Sequence, residues 1–162
     1  MQVEQLKNNF KDRLEEIRKT VHNDQFFNDI YPRLKVVLDY YKTDSLYYLF
    51  PLIERLVLEI LLDDYKSDIE VSHQGTFRSL SGILEDIETR QILQEKINDD
   101  VDKLQQWFCQ SNGMRNKVMK ELVIIREIKK IDEVKDVCLK LLQVYAEEFK
   151  KYDDDFEIEP LA

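Results

Sequence analysis

Turn-forming residues are scarce in this chain. Three glycines and three prolines are spread over 162 residues, whereas a β-sandwich, a barrel or a doubly wound sheet needs turn residues at roughly every tenth position. Long helices joined by a few turns meet this restriction best. The sequence therefore predicts an all-α fold.

Apolar residues recur at steps of three and four, which places them on one stripe of a helix. With 43% hydrophobic and 35% charged residues, the chain has enough apolar side chains for a core. Asn23 and Asp24 can end the first helix and cap the second. The predicted helices cover residues 3–21, 32–41 with Pro32 in the first turn, 46–62, 83–108 as one long helix or two nearly continuous ones, 114–125, and 132–149 with Asp132 as cap. We infer a single helical domain over residues 1–150, a bundle of five or six helices.

The predicted helix at residues 46–62 is apolar almost all round. Such a helix is buried on several sides, either at the centre of the bundle or in a subunit interface. The second alternative predicts a homodimer. Residues 63–82 are polar and predict a loop with short helical pieces.

Asn112 and Gly113 are expected to end the long helix, because both residues tolerate the left-handed conformation. Met114, Val118 and Leu122 then continue at helical spacing as far as Ile125. The β-branched residues 123–125 leave a strand open as the alternative.

Two cysteines, Cys109 and Cys138, lie far apart and without the spacing of metal ligands. We therefore expect reduced thiols, no metal site and no cofactor. Charges interrupt both the N-terminal segment and the most apolar stretch, which favours a cytoplasmic protein without a signal peptide or a membrane span. Residues 151–162 are rich in acids and are expected to form a flexible, solubilising tail.

The familiar catalytic signatures are not found: there is no phosphate-binding glycine loop and no nucleophile elbow. A net charge of −9 also argues against a general nucleic-acid coat protein. The most basic region is nevertheless local, and it predicts RNA contacts from Lys117, Arg126, Lys129 and Lys130. The alternative is a solvated helix face.

Two short segments carry a family resemblance. Arg115-Asn116 opens a late helix, and upstream Leu49-Phe50-Pro51-Leu52-Ile53-Glu54-Arg55-Leu56 has an apolar-Pro-apolar-Ile-Glu pattern. Over residues 46–149 the chain resembles the HEPN superfamily, all-α domains whose RNA-cleaving members carry Arg, a polar residue, three further residues and then His. Here Lys120 stands where that His is expected.

The resemblance implies a mechanism in which two protomers pair around one RNA phosphate without a metal ion, and the ribose 2′-hydroxyl attacks the adjacent phosphorus. Arg115, Asn116 and Lys120 then occupy the catalytic positions. Arginine suits phosphate binding because it is permanently charged and offers two parallel donors. A protonated lysine is a poor base, so we expect weak or absent catalysis; any retained activity would be that of a metal-independent endoribonuclease.

Two functions follow from these patterns. The first is an HEPN-like dimer that binds RNA or a partner protein in a defence or toxin–antitoxin setting. The second is an acidic helical adaptor or immunity-type subunit that binds a basic protein and has no role with nucleic acid. A third interpretation is purely structural, with Arg115 and Lys120 flanking an amphipathic helix in which Lys117 pairs with Glu121.

Overall fold

Helices dominate the computed structural model, which confirms the all-α prediction. It describes the backbone of residues 2–21, 24–39, 45–63, 72–73, 76–77, 80–98 and 100–156, and the side chains of 10–21, 24–39, 45–61, 80–98 and 100–148. The helices are α1 (Gln2–Thr20), α2 (Gln25–Asp39), α3 (Ser45–Asp63), α4 (Leu80–Glu85), α5 (Ile87–Ile97), α6 (Asp100–Phe108), α7 (Met114–Met119) and α8 (Ile128–Phe156). These eight segments exceed the predicted five or six. A two-residue antiparallel pair, β1 (Ser72–His73) and β2 (Thr76–Phe77), lies between α3 and α4.

The apolar helix α3 lies at the centre of the bundle. It packs most extensively on α8 and also contacts α2, α4 and α7. Leu46, Leu49, Ile53, Leu56 and Ile60 are fully buried along it. Of the two explanations left open by the sequence, the structure supports the central position, so the apolar surface of α3 does not by itself require a second copy. The homodimer stays a prediction.

Asp24 starts α2, as predicted. The Phe27 backbone N–H donates to Asp24 Oδ2 at 3.0 Å, and the Tyr145 hydroxyl of α8 donates to the same oxygen at 2.5 Å. Since this cap acts at Gln25, the prediction that α2 begins at Pro32 is wrong. Pro32 lies inside the helix and is exposed, so water can satisfy the carbonyl that its ring leaves without a donor. Asn23 lies outside the described residues.

The predicted helix over residues 83–108 is divided into α4, α5 and α6. The first break is at Asp86, whose carboxylate accepts a hydrogen bond from the Thr89 hydroxyl at 2.7 Å. The second is at Asn98, which adopts a left-handed φ of 56° and donates its N–H to the Gln94 carbonyl at 2.8 Å. Asp and Asn both favour helix ends over helix interiors. Their preference ends the helices at these two positions, although the apolar spacing continues through them.

The predicted helix over residues 114–125 is also wrong beyond Met119. Residues 121–127 form neither helix nor strand, so the strand alternative is not formed either. Leu122 has a φ of 58°, which turns the chain, and the Val123 N–H then reaches back to the Lys117 carbonyl at 2.9 Å. This tight reversal replaces the next helical turn.

Helix α8 has 29 residues and begins at Ile128, so Asp132 lies within it and is not its cap. Its backbone remains helical through Phe156, six residues into the predicted tail, and residues 157–162 lie outside the described part. Asp136 ties α8 to α1 through Arg13 at 2.7 Å and also pairs with Lys140 at 3.2 Å. Burial alone would raise the pKa of Asp136, but hydrogen bonds from these two cations outweigh it and hold the pKa below its ordinary value.

Candidate binding surface around α7 and the linker to α8

Gly113 seats the start of α7 directly against the end of α6. A Cβ atom on Gly113 would lie 2.4 Å from the Gln106 carbonyl oxygen and 2.5 Å from that of Trp107. No residue other than glycine fits this contact. Trp107 and Phe108 in turn pack edge-on against Phe50 of α3. The position of α7, and with it the Arg115-Asn116 pair, is therefore set by the core.

Arg115 lies in the first turn of α7, and its guanidinium contacts side chains of α3, α6 and α7. Its Nη1 donates to Asn116 Oδ1 at 3.0 Å, and its Nη2 is 4.0 Å from Glu54 Oε2. The guanidinium also stands 5.7 Å from the centre of the Phe108 ring. The two segments that carry the family resemblance thus meet through Glu54 and Arg115. The Glu54 carboxylate partly neutralises the positive charge of the Arg115 guanidinium. A bound phosphate would have to compete with this carboxylate for the same charge.

The Asn116 amide is also engaged at both ends. Its oxygen accepts from Arg115, and its Nδ2 donates to the Gln110 carbonyl at 2.9 Å. These contacts hold the turn before α7 in place. Asn116 therefore has a structural role, because it links α7 to the preceding turn by hydrogen bonds.

Lys120 stands at the C-terminal end of α7. Its backbone N–H bonds the Asn116 carbonyl at 2.9 Å, but its side chain is exposed and makes no hydrogen bond or ion pair with any described side chain. The structure therefore brings Arg115 and Asn116 together and leaves the Lys120 ammonium in solvent.

The four predicted RNA-contacting residues are all exposed: Lys117, Arg126, Lys129 and Lys130. Only Lys130 has an ion-pair partner among the described residues, Glu127 at 3.4 Å. Residues 114–130 carry six basic and two acidic side chains, a net charge of +4, although the whole chain carries −9. The structure thus places a positive surface on an otherwise acidic molecule.

Four aliphatic side chains on the same segment are also exposed, and the sequence reasoning missed them because it placed Leu122 on a helical stripe. The exposed fractions are 67% for Leu122, 39% for Val123, 52% for Ile124 and 39% for Ile128. Ile125, only 8% exposed, anchors the segment to the body of the protein. The sequence does contain a sign of this exposure, the unbroken apolar run Leu-Val-Ile-Ile at residues 122–125. A surface helix needs polar residues on its solvent face, and this run has none.

We call these nine residues the linker surface: Leu122, Val123, Ile124 and Ile128, with Lys117, Lys120, Arg126, Lys129 and Lys130 around them. The backbone N–H groups of Ile124 and Arg126 make no hydrogen bond with any described residue. A depression of about 230 Å³ adjoins it, lined in part by Trp107, Lys117 and Lys130. The linker surface thus combines apolar area, positive charge, backbone donors and a concavity.

Within the described ranges, no three His, Cys, Asp or Glu side chains are grouped so as to hold a metal ion. Likewise, no helix in that part of the chain combines the length and the apolar character needed to cross a bilayer.

Comparison with known proteins gives no relative. No family model matches the chain, and neither a curated protein nor a solved structure matches it. The HEPN resemblance therefore depends on residues 49–56 and on Arg115-Asn116 alone.

Proposed function

We propose that this chain is an HEPN-like binding domain without nuclease activity, and that it binds a partner protein through the linker surface. The observation that carries the proposal is the group of four exposed aliphatic side chains surrounded by five exposed cations. Exposed apolar area rimmed by polar residues is typical of protein interaction sites. The partner would present apolar side chains at its centre and acidic side chains at its edge.

The contacts of Arg115 support the absence of catalysis. Arg115 is held by Glu54 and Asn116, so the group that should stabilise charge on a phosphate already has partners. A carboxylate beside it repels an incoming phosphate. Lys120 stands at the position of the motif His and supplies an amine side chain in place of the imidazole that serves as base. Loss of a general base lowers such a step by about 10²- to 10⁴-fold.

The aliphatic side chains favour protein over RNA as the ligand. RNA bases stack chiefly on aromatic rings, and the linker surface has none; Arg126 is its single guanidinium plane. Burying a Leu, Val or Ile side chain completely gains about 1.5–3 kcal/mol. Since Leu122, Val123, Ile124 and Ile128 are roughly half exposed, covering them would contribute about 4 kcal/mol by the same scale.

Peptide display tests this proposal. Peptides selected on the wild-type protein should be rich in apolar and acidic residues, and they should lose binding to a Leu122→Ser/Ile124→Ser variant. Ile87→Ser is the matched control, because Ile87 on α5 is 71% exposed but lies outside the linker surface. Selected peptides that bind all three proteins equally would overturn the proposal.

Single-stranded RNA is the second candidate ligand, favoured by the five exposed cations alone. It predicts a complex whose affinity falls steeply between about 50 and 200 mM salt. Lys129→Ala/Lys130→Ala should weaken that complex, while Leu122→Ser/Ile124→Ser should leave it unchanged. A gel-shift assay with labelled RNA separates the two candidates, because the aliphatic variant affects only the protein complex.

A further inference from the structure

We propose that the linker surface receives the acidic C-terminal segment, residues 153–162, of a second copy of this chain. This inference rests on the proposed function and names the occupant of the same site. The segment reads DDDFEIEPLA and carries five acids, so it is the chemical complement of a surface built from lysine, arginine and aliphatic residues.

The linker surface and the C-terminal segment carry opposite charges. Residues 114–130 carry a net charge of +4 and residues 153–162 carry −5. The apolar residues Phe156, Ile158 and Leu161 are interspersed among the acids, which matches the aliphatic centre and cationic edge of the linker surface. Opposite charges at the edge of an interface speed association and select the partner, while apolar contacts at its centre supply most of the affinity.

The length of α8 separates the C-terminal segment from the linker end of the same helix. Helix α8 starts at Ile128, on the linker surface, and its helical backbone ends at Phe156. At a rise of 1.5 Å per residue the two ends are about 42 Å apart. Residues 157–162, fully extended, span only about 20 Å. The end of the segment therefore falls about 20 Å short of Ile128 in its own chain, so the copy that would supply the occupant is a second one.

The backbone of the linker offers hydrogen-bond donors to an occupying peptide. The N–H groups of Ile124 and Arg126 make no hydrogen bond with described residues, and the Ile124 side chain is 52% exposed. An occupying peptide can supply acceptors to these donors, either main-chain carbonyls or the carboxylates of Glu157 and Glu159. Apolar anchoring, charge pairing and backbone donors would then act on one short segment.

The first experiment uses a fluorescein-labelled peptide of residues 153–162 and measures its anisotropy with the full-length protein. We expect saturable binding that weakens by about tenfold or more in Leu122→Ser/Ile124→Ser and is unchanged in Ile87→Ser. A control peptide carrying Ile158→Ser and Leu161→Ser keeps all five acids and should bind about tenfold more weakly. Equal binding of the two peptides would show attraction by charge alone and would overturn the proposed apolar docking.

The second experiment tests the contact between copies by disulfide trapping. In a Cys109→Ser background, a Leu122→Cys chain is mixed with an Ile158→Cys chain and the thiols are oxidised with diamide. With a size tag on one of the two chains, the mixed disulfide is resolved from the two homodimers on a non-reducing gel. We expect it at twice 19.5 kDa plus the tag, and more of it than with Ile87→Cys in place of Leu122→Cys. A chain carrying both Leu122→Cys and Ile158→Cys should form no internal disulfide when dilute.

The outcomes separate this inference from the proposed function. If neither the tail peptide binds nor the mixed disulfide forms, while display-selected peptides still need Leu122 and Ile124, the second copy is refuted as occupant and the docking function stands. If the binding of the tail peptide and of the selected peptides is unchanged in Leu122→Ser/Ile124→Ser, both proposals fail. An internal disulfide in the dilute double variant would refute the argument from the length of α8.

Discussion

Replacing Gly113 with alanine places a methyl group inside the contact between α6 and α7. The new Cβ would lie 2.4 Å from the Gln106 oxygen and 2.5 Å from the Trp107 oxygen, where Cβ atoms need about 3.0 Å, so the two helices must separate by roughly 0.6 Å. The backbone at Gly113 (φ −64°, ψ 152°) is open to any residue. The steric contact is therefore the only penalty in the folded state.

The size of the effect follows from these distances. Overpacking of this kind costs about 1–3 kcal/mol, and a clash with two rigid backbone carbonyls lies at the upper end. Alanine also lowers the conformational entropy of the unfolded chain, which stabilises the folded state by about 0.4–1 kcal/mol. We expect a net loss of about 2–2.6 kcal/mol in the free energy of unfolding, which for a chain of this size lowers the Tm by about 4–10 °C.

Circular dichroism melting of Gly113→Ala measures this loss. Asn112→Ala is the control, since Asn112 is exposed in the same turn and should change the Tm by less than about 2 °C. A Gly113→Ala protein that melts with the wild type would show that α7 is not seated against α6 as described. Arg115 would then not be held in place by the contact between α6 and α7.

Three further outcomes are expected. Leu122→Gly should leave the free energy of unfolding unchanged or raise it by up to ~1 kcal/mol, because glycine relieves the left-handed φ of 58°, whereas Val123→Gly should lower it; urea denaturation ranks the two, and the reverse order would contradict the described turn. The Asp136 carboxylate has a lowered folded pKa, so it stabilises the fold above the ordinary Asp pKa and this contribution is lost as the pH falls; Asp136→Asn should lower the Tm at pH 7, with a gap that closes below about pH 4, and a gap independent of pH would refute the ion pairing. Burial raises the pKa of Cys138 to about 12, so in the native protein a thiol reagent should modify the half-buried Cys109 first and Cys138 only on unfolding; simultaneous reaction would contradict the buried site.

Local chemistry in the sequence predicted much of the fold. Apolar spacing predicts the helices α1 and α3, and both are confirmed. The predicted cap at Asp24 is confirmed as well, and all three features depend only on residues close together in sequence. The starts of α2 and α8 were misplaced because a proline and an aspartate can occupy several positions in a helix. At Pro32, solvent exposure made an interior position tolerable.

The candidate site was harder to predict because it depends on contacts between distant segments. Glu54 and Arg115 lie 61 positions apart in sequence, and no local pattern indicates that the acid engages the guanidinium. The spacing of Met114, Val118 and Leu122 fitted a helix, yet the left-handed turn at Leu122 ended it. That turn exposed the aliphatic residues on which the proposed function depends.

The shared oxygen of Asp24 joins two parts of the molecule that are remote along the chain. Asp24 Oδ2 receives both the Phe27 amide at the start of α2 and the Tyr145 hydroxyl in α8. Fraying of the first turn of α2 therefore also breaks the hydrogen bond from the buried Tyr145 hydroxyl to Asp24, at a cost of about 0.5–1.5 kcal/mol or more because the acceptor is a carboxylate. Slow hydrogen exchange at the Phe27 amide would report this cooperative unit, and Tyr145→Phe should speed the exchange there without a change in any residue of α2.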